Sequence, residues 1–274
     1  MDQHSGDYRA AYERRTEQFK RLLTQAKGLT DNLRRNFEGM VQLLTDVLTQ
    51  AAPDLGAHAK RTAALARSTA FAMRLNPDRR RLTFYAASLH DLSLIGHSEE
   101  WQKGEGEAWR AHPMRTAEMI ATVENLKRLA ETVVCHHESF DGSGFPKGLK
   151  GQEIPLESRI IAACSAYDRR LILNGLETGE AFDGIDGSPR FDPEVCRTLG
   201  EIIRGNRDLR NRGDRLLAME QLCPGMLLAD DLLLANGLIL FPRETMIDEE
   251  SLERIRSFRR MLPADRMIRV YQQR

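Results

Sequence analysis

The sequence runs to 274 residues, enough for one large core and an appendage. Its 40 basic and 40 acidic side chains cancel, so no bulk charge draws it to a nucleic acid polymer or an anionic lipid surface. No apolar run reaches the roughly 18 residues that membrane insertion needs, and the four cysteines form no CxxC pair, so the expectation is a soluble, cytoplasmic, mainly α protein with reduced thiols and no secretion signal.

Residues 8–50 lack proline and predict one long helix. Phe19, Leu22, Ala26, Leu29 and Leu33 fall at alternating spacings of three and four. Phe37, Met40, Leu44 and Val47 resume the rhythm after a step that resembles a stutter in a heptad repeat. Such a stripe needs a partner, either its own domain or a second copy. The heptad rhythm favours the second, a homodimeric coiled-coil stalk over residues 1–52.

Pro53-Asp54-Leu55-Gly56 breaks that helix, and the next is expected from about Ala57 to Leu75, with His58 on the same face as Thr62, Leu65 and Thr69. Asn76-Pro77-Asp78 opens another, with Asn as N-cap. It ends at His90-Asp91, and His90 shares the inward face of Thr83 and Ala86. Residues 97–107 read as a polar loop. Trp109 to Pro113 leads into a helix through about Val123, and one from about Asn125 delivers His136 on the stripe of Leu126, Leu129 and Val133, with His137 on the row of Ala130 and Val134.

A long apolar helix follows from Arg159 to about Leu173. Residues 174–191 read as loop, Asp192-Pro193-Glu194 caps a helix to about Arg204, and Asn206 to Asp214 reads as a charged linker. Leucine-rich runs on either side of Asn236-Gly237 predict a hairpin, residues 249–262 a short helix, and Met267 to Tyr271 a last strand. The expected division is a stalk at 1–52, a helical domain at 53–205 and a small β-rich C-terminal module at 206–274, marginal without docking.

The stretch His136-His137-Glu138-Ser139-Phe140-Asp141-Gly142-Ser143-Gly144-Phe145-Pro146 carries the chemistry. Imidazole and carboxylate suit iron, manganese or zinc, and the glycines let a ligand approach backbone closely. One such pair alone reads more simply as surface histidines at a helix end. His58, His90 with Asp91, His112, and His136 with His137 all sit on inward faces, however, and desolvating so many polar rings without a cation is costly.

With these motifs in this order, residues 50–205 resemble the HD-GYP family of cyclic di-GMP phosphodiesterases, a branch of the HD-domain phosphohydrolases. The stretch from His136 to Ile160 is the most specific part of the match. The resemblance implies an all-α HD-domain bundle around two divalent metal ions, iron or manganese. It assigns His58, His90 and Asp91 to one metal and His112, His136 and His137 to the other, with Asp91 bridging them and orienting the attacking water. Arg61, Lys147 and Arg159 are implied phosphate contacts, and Asp141, Gly142, Gly144 and Phe145 bound the substrate pocket. The tail resembles a module that often follows such domains in bacterial signalling proteins.

Four positions depart from that pattern. Leu94 stands where a lysine is expected to meet substrate phosphate. Ser165 stands where a metal-binding aspartate is expected, and Asp168, one turn later, is either a substitute acting through water or a surface carboxylate. Thr49 replaces the glutamate of three-metal members, and Phe145 replaces the signature tyrosine. Two functional expectations follow: a metal-dependent phosphodiesterase hydrolysing cyclic di-GMP, or a weak or inactive relative that binds the dinucleotide or a signalling protein partner. A plain structural scaffold is the third reading.

Overall fold

The structure is a computed structural model describing residues 3–123, 126–235, 237, 239–263 and 267–272. The chain divides into two compact units, 1–44 and 45–274. The first is the greater part of helix α1 (Gln3–Ala51), on which Phe19, Leu22, Leu29, Leu33 and Met40 are all exposed.

The second unit begins with the last turns of α1 and turns sharply into α2 (Pro53–Ala72). The proline motif does not open a loop. Pro53 is itself the first helical residue, where its missing N–H is no loss, so α2 starts four residues before the expected Ala57. At this crossing a Cβ on Gly56 would stand 2.4 Å from Thr49 Cα, so only glycine lets the two helices approach. Beside it, Asp46 and Lys60 form a buried ion pair at 3.0 Å, and Leu48 and Leu55 pack with Leu94, Trp101 and Trp109.

Helix α3 (Pro77–Leu89) starts as expected, with Asn76 Oδ1 accepting the Arg79 N–H at 3.0 Å. The expected loop at 97–107 contains α4 (Ser98–Lys103), whose Glu100 carboxylate accepts the N–H groups of Ala108 and Trp109 at the start of α5 (Glu107–Ala121). That carboxylate at a helix N-terminus is why α5 begins before Pro113 rather than at it. Helix α6 (Lys127–Val134) follows; the expected start at Asn125 lies outside the described residues. Helix α7 (Leu156–Ile172) runs as expected, and α8 (Thr178–Asp183) occupies part of the expected loop. The bundle forms as α2 packs on α3 and α7, α3 on α6 and α7, and α5 on α6.

Helix α9 (Pro193–Asn211) runs straight through the expected linker. Its charged residues lie on a solvated face while Asn206 is buried, so backbone hydrogen bonding continues without an apolar stripe. Beyond it, β1 (Asp214–Leu217) pairs antiparallel with β4 (Ile268–Tyr271), Asp214 opposite Tyr271. The expected hairpin is present as β2 (Leu232–Leu233) against β3 (Ile239–Phe241), although Asn236 lies outside the described residues. Helix α10 (Glu249–Ser257) closes a small core of Phe241, Ile247, Ile255 and Val270. This module docks on the bundle through Arg67 and Asp248, at 2.6 and 3.2 Å, and through Arg210 and Glu244 at 2.7 Å.

Candidate metal centre

Three of the helices that border the site, α3, α5 and α6, contribute a ligand-type side chain that donates to a backbone carbonyl three residues earlier. Near the end of α3 the carbonyl of Ala87 has lost its helical partner, and His90 Nδ1 donates to it at 2.8 Å. At the end of α6, His136 Nδ1 donates to Val133 O at 2.6 Å. Within α5, Pro113 has no N–H for Trp109 O, and His112 Nδ1 takes that carbonyl at 2.5 Å. The His-Pro pair is thus one device: the proline frees the acceptor that orients the histidine. His58 on α2 instead donates Nδ1 to Asp168 Oδ2 on α7 at 2.7 Å.

These four bonds fix the proton on Nδ1 and leave Nε2 with a bare lone pair. The lone pairs converge on Asp91. His112 and His136 Nε2 lie 3.1 and 3.6 Å from its Oδ1 and 3.0 Å from each other. His90 and His58 Nε2 lie 3.4 and 3.8 Å from its Oδ2. Such contacts bring acceptor to acceptor. Nε2 of His90 and His137 and Oδ1 of Asp91 find no hydrogen-bond partner among the described residues.

Burial pushes His90 down to about 3 and holds His136 low and His137 well below the usual imidazole range, so the rings are neutral at pH 7. Burial opposes ionisation of Asp91 too, yet its carboxyl lies well below its ordinary value, so the charged member of the cluster is the carboxylate. A carboxylate ringed by neutral nitrogen acceptors, buried and short of donors, is the environment that a divalent cation satisfies. Two overlapping ligand sets share Asp91: His58, His90 and Asp91, and Asp91, His112, His136 and His137. In each set the ligand atoms lie within 4.8 Å of one another.

Around this centre stand residues of a second kind. Trp101 Nε1 donates to Asp91 Oδ2 at 3.2 Å. The Trp109 ring lies 5.0 Å from His112 and 4.7 Å from His137, and Phe145 stacks on His137 at 5.0 Å. Ser165 Oγ lies 3.2 Å from His58 Nε2 and donates to it. Asp168 is no surface carboxylate: it is buried and grips both His58 and Arg61, the latter at 2.6 and 3.0 Å. Glu138 accepts the N–H groups of Lys147 and Leu149 at 2.6 and 3.0 Å, pinning the glycine loop. Gly144 is required there, because a Cβ would stand 2.2 Å from Ser139 N.

A cavity of about 390 Å³ opens over His136 and His137, lined also by Phe145, Ser165, Arg169 and Arg190. The other residues expected to bound the substrate lie elsewhere. Arg61 is clamped by Asp168 and faces a smaller cavity beside Tyr167 and Arg243. Arg159 pairs with Asp192 and donates to Ile154 O at 3.1 Å. Lys147 is exposed. Asp141 accepts from the Ser143 N–H and hydroxyl at 2.9 and 2.6 Å, shaping the turn that Gly142 completes at φ +87°. Leu94 is fully buried between Leu48, Trp101 and Trp109, in apolar surroundings that explain why no lysine stands there. Trp101, Trp109, Arg169 and Arg190 went unassigned in the sequence. The available signal was that both of the chain's tryptophans fall in one short polar stretch.

Residues 42–195, more than half of the chain, match the HD domain family. The chain belongs to the HD-domain family. Within that family it is similar to 3'3'-cGAMP-specific phosphodiesterase 3 of Vibrio cholerae, 34% identical over 90 residues, which is 30% of this chain and 20% of that protein. It is also similar to a cyclic di-GMP phosphodiesterase of Thermotoga maritima, 29% identical over 143 residues, 47% of this chain and 39% of that protein. The chain thus spans only a fifth to two fifths of these curated relatives. The crystal structure of a cyclic GMP-AMP specific phosphodiesterase of V. cholerae shares the fold of the HD domain. It aligns over 80% of this chain and 57% of that one, with a TM-score of 0.52 and 16% identity. Among the described residues no helix is long and apolar enough to cross a membrane.

Proposed function

We propose that this HD domain is a metal-dependent phosphodiesterase that opens cyclic di-GMP by attack of water at phosphorus. The observation that carries the reading is the ring of Nε2 lone pairs around Asp91, oriented by backbone carbonyls and Asp168 and set beneath a cavity with arginines in its wall. The substrate class rests on what the curated relatives are named for.

Two divalent ions, iron or manganese by the family resemblance, would supply Lewis acidity here, neutralising phosphate charge and acidifying water. His58, His90 and Asp91 would hold one, and His112, His136 and His137 the other, with Asp91 available to both. The protein's own part is placement: Asp91 aligns the nucleophile, and the Phe145 ring, carried on the loop of Gly142 and Gly144, walls the pocket. Arg61 and Arg159 act from behind, through Asp168 and Asp192. The stripe on α1 serves as a homodimer stalk, in a cytoplasmic signalling setting.

The test is metal content and cyclic di-GMP turnover of the purified chain with added manganese. Near two equivalents of metal and conversion to the linear dinucleotide are expected; a folded protein that takes up no metal overturns the proposal. A second reading has one observation in its favour. Ser165 offers His58 a hydroxyl where the family pattern has a carboxylate, which suits a pocket that binds the dinucleotide and passes the signal to a protein partner. Metal-loaded native protein that binds without turnover, beside a Ser165→Asp variant that turns over, establishes that second reading.

A further inference from the structure

The wall of the cavity above the centre carries a cation that the metal site does not use. Arg169, in the last turn of α7, lays its guanidinium 4.6 Å from the Trp109 ring and 5.4 Å from the Trp101 ring. Nη2 donates to Trp101 O at 2.8 Å. Nη1 is buried and has no hydrogen-bond partner among the described residues, and Arg169 lines the cavity together with His136, His137 and Ser165. A Cβ at Gly104, where φ is +71°, would stand 3.1 Å from Nη2, so the loop facing the guanidinium keeps clear of it.

A guanidinium stripped of water and given indole faces in place of a carboxylate is held for an anion that arrives later. The same two indoles enclose Leu94, the position where the family pattern has its phosphate-binding lysine. Leu94 is given over to apolar packing, and the cation that lines the cavity beside those indoles comes from α7.

We infer that Arg169 is the phosphodiester-binding cation of this pocket, its guanidinium serving a non-bridging phosphate oxygen and its position set by Trp101 and Trp109. The inference rests on the cavity being a phosphodiester site, as proposed above. It makes Arg169 a binding residue and leaves the metal ligands untouched.

The test uses the full chain, with equilibrium binding of cyclic di-GMP and of the generic diester bis(p-nitrophenyl) phosphate, alongside metal content and Tm. Arg169→Met is expected to weaken both by about 10- to 100-fold, the range of one charge-assisted hydrogen bond. Metal content should be unchanged, and Arg169→Lys should recover part of the loss. If Arg169→Met does not fold, Arg169→Gln is read in its place. Native affinity for both diesters in the folded variant overturns the inference and leaves the cyclic di-GMP reading standing. Native protein that binds the generic diester but not cyclic di-GMP, with the loss still tracking Arg169, overturns the substrate reading and leaves the inference standing. A native chain that binds neither removes both.

Discussion

Ser165 and Asp168 sit one helical turn apart on α7 and act on opposite nitrogens of His58. The hydroxyl meets the nitrogen that faces Asp91, and the carboxylate holds the other, so the two make different predictions. Replacing Asp168 by Asn removes the charge that fixes the His58 tautomer and should weaken metal binding by about 10- to 100-fold, as losses of outer partners do. Metal titration checks this, with His112 and His136 as the internal comparison because their tautomers depend on backbone. Ser165→Asp should act in the other direction and raise metal occupancy per chain, measured by elemental analysis; unchanged occupancy would show that the hydroxyl already suffices. At this scale the sequence was informative where helical periodicity could place a ring. The inward faces of His58, His90 and His136 followed from their spacing along the helices. The partner of Asp168 did not, because pairing between α2 and α7 is a tertiary fact that spacing along α7 cannot reveal.

Helices α1 and α2 meet at a point where one side chain decides the packing. With Gly56 pressed on the Thr49 backbone, Gly56→Val should force the helices apart and destabilise the protein by about 1–3 kcal/mol, as overpacked cores do. Chemical denaturation reads this directly. The same crossing places Leu48 against Leu94, Trp101 and Trp109, so movement of the last turn of α1 is felt by the residues that touch Asp91 and His137. Elements were legible to different degrees for physical reasons. Long periodic helices and the capped starts at Asn76 and Asp192 stood out. The six-residue helices α4 and α8 are too short to show a period, and α9 continues past its apolar stripe with Asn206 buried and Arg210 paired to Glu244.

For the molecule as a whole, the C-terminal module and the bundle share a buried charge pair. Arg67 holds the Asp248 carboxyl below its ordinary value of 3.8, against the opposing effect of burial. Asp248 therefore contributes stability that is fully present above about pH 4 and is lost as pH falls through its depressed folded value. Arg67→Met should cost about 3–5 kcal/mol, since it strands a buried carboxylate, and should flatten the acid limb of a stability-against-pH curve; an unchanged limb would show that docking does not depend on the pair. Removing residues 1–44, rather than everything before Pro53, should leave the second unit folded and convert a dimer to a monomer in sizing. A persistent dimer would place the contact elsewhere.

Three of the imidazoles around Asp91 take their orientation from peptide carbonyls at residues 87, 109 and 133, not from side chains. Main-chain atoms are common to every amino acid, so side-chain substitution in the cavity wall, Pro113 apart, leaves those carbonyl acceptors in place. Positions 94, 145 and 165 differ from the pattern that the sequence resemblance implies, while these nitrogens point at one carboxylate. Substrate preference in such a pocket is free to diversify, because its inner chemistry is anchored in the part of the polypeptide that substitution does not reach.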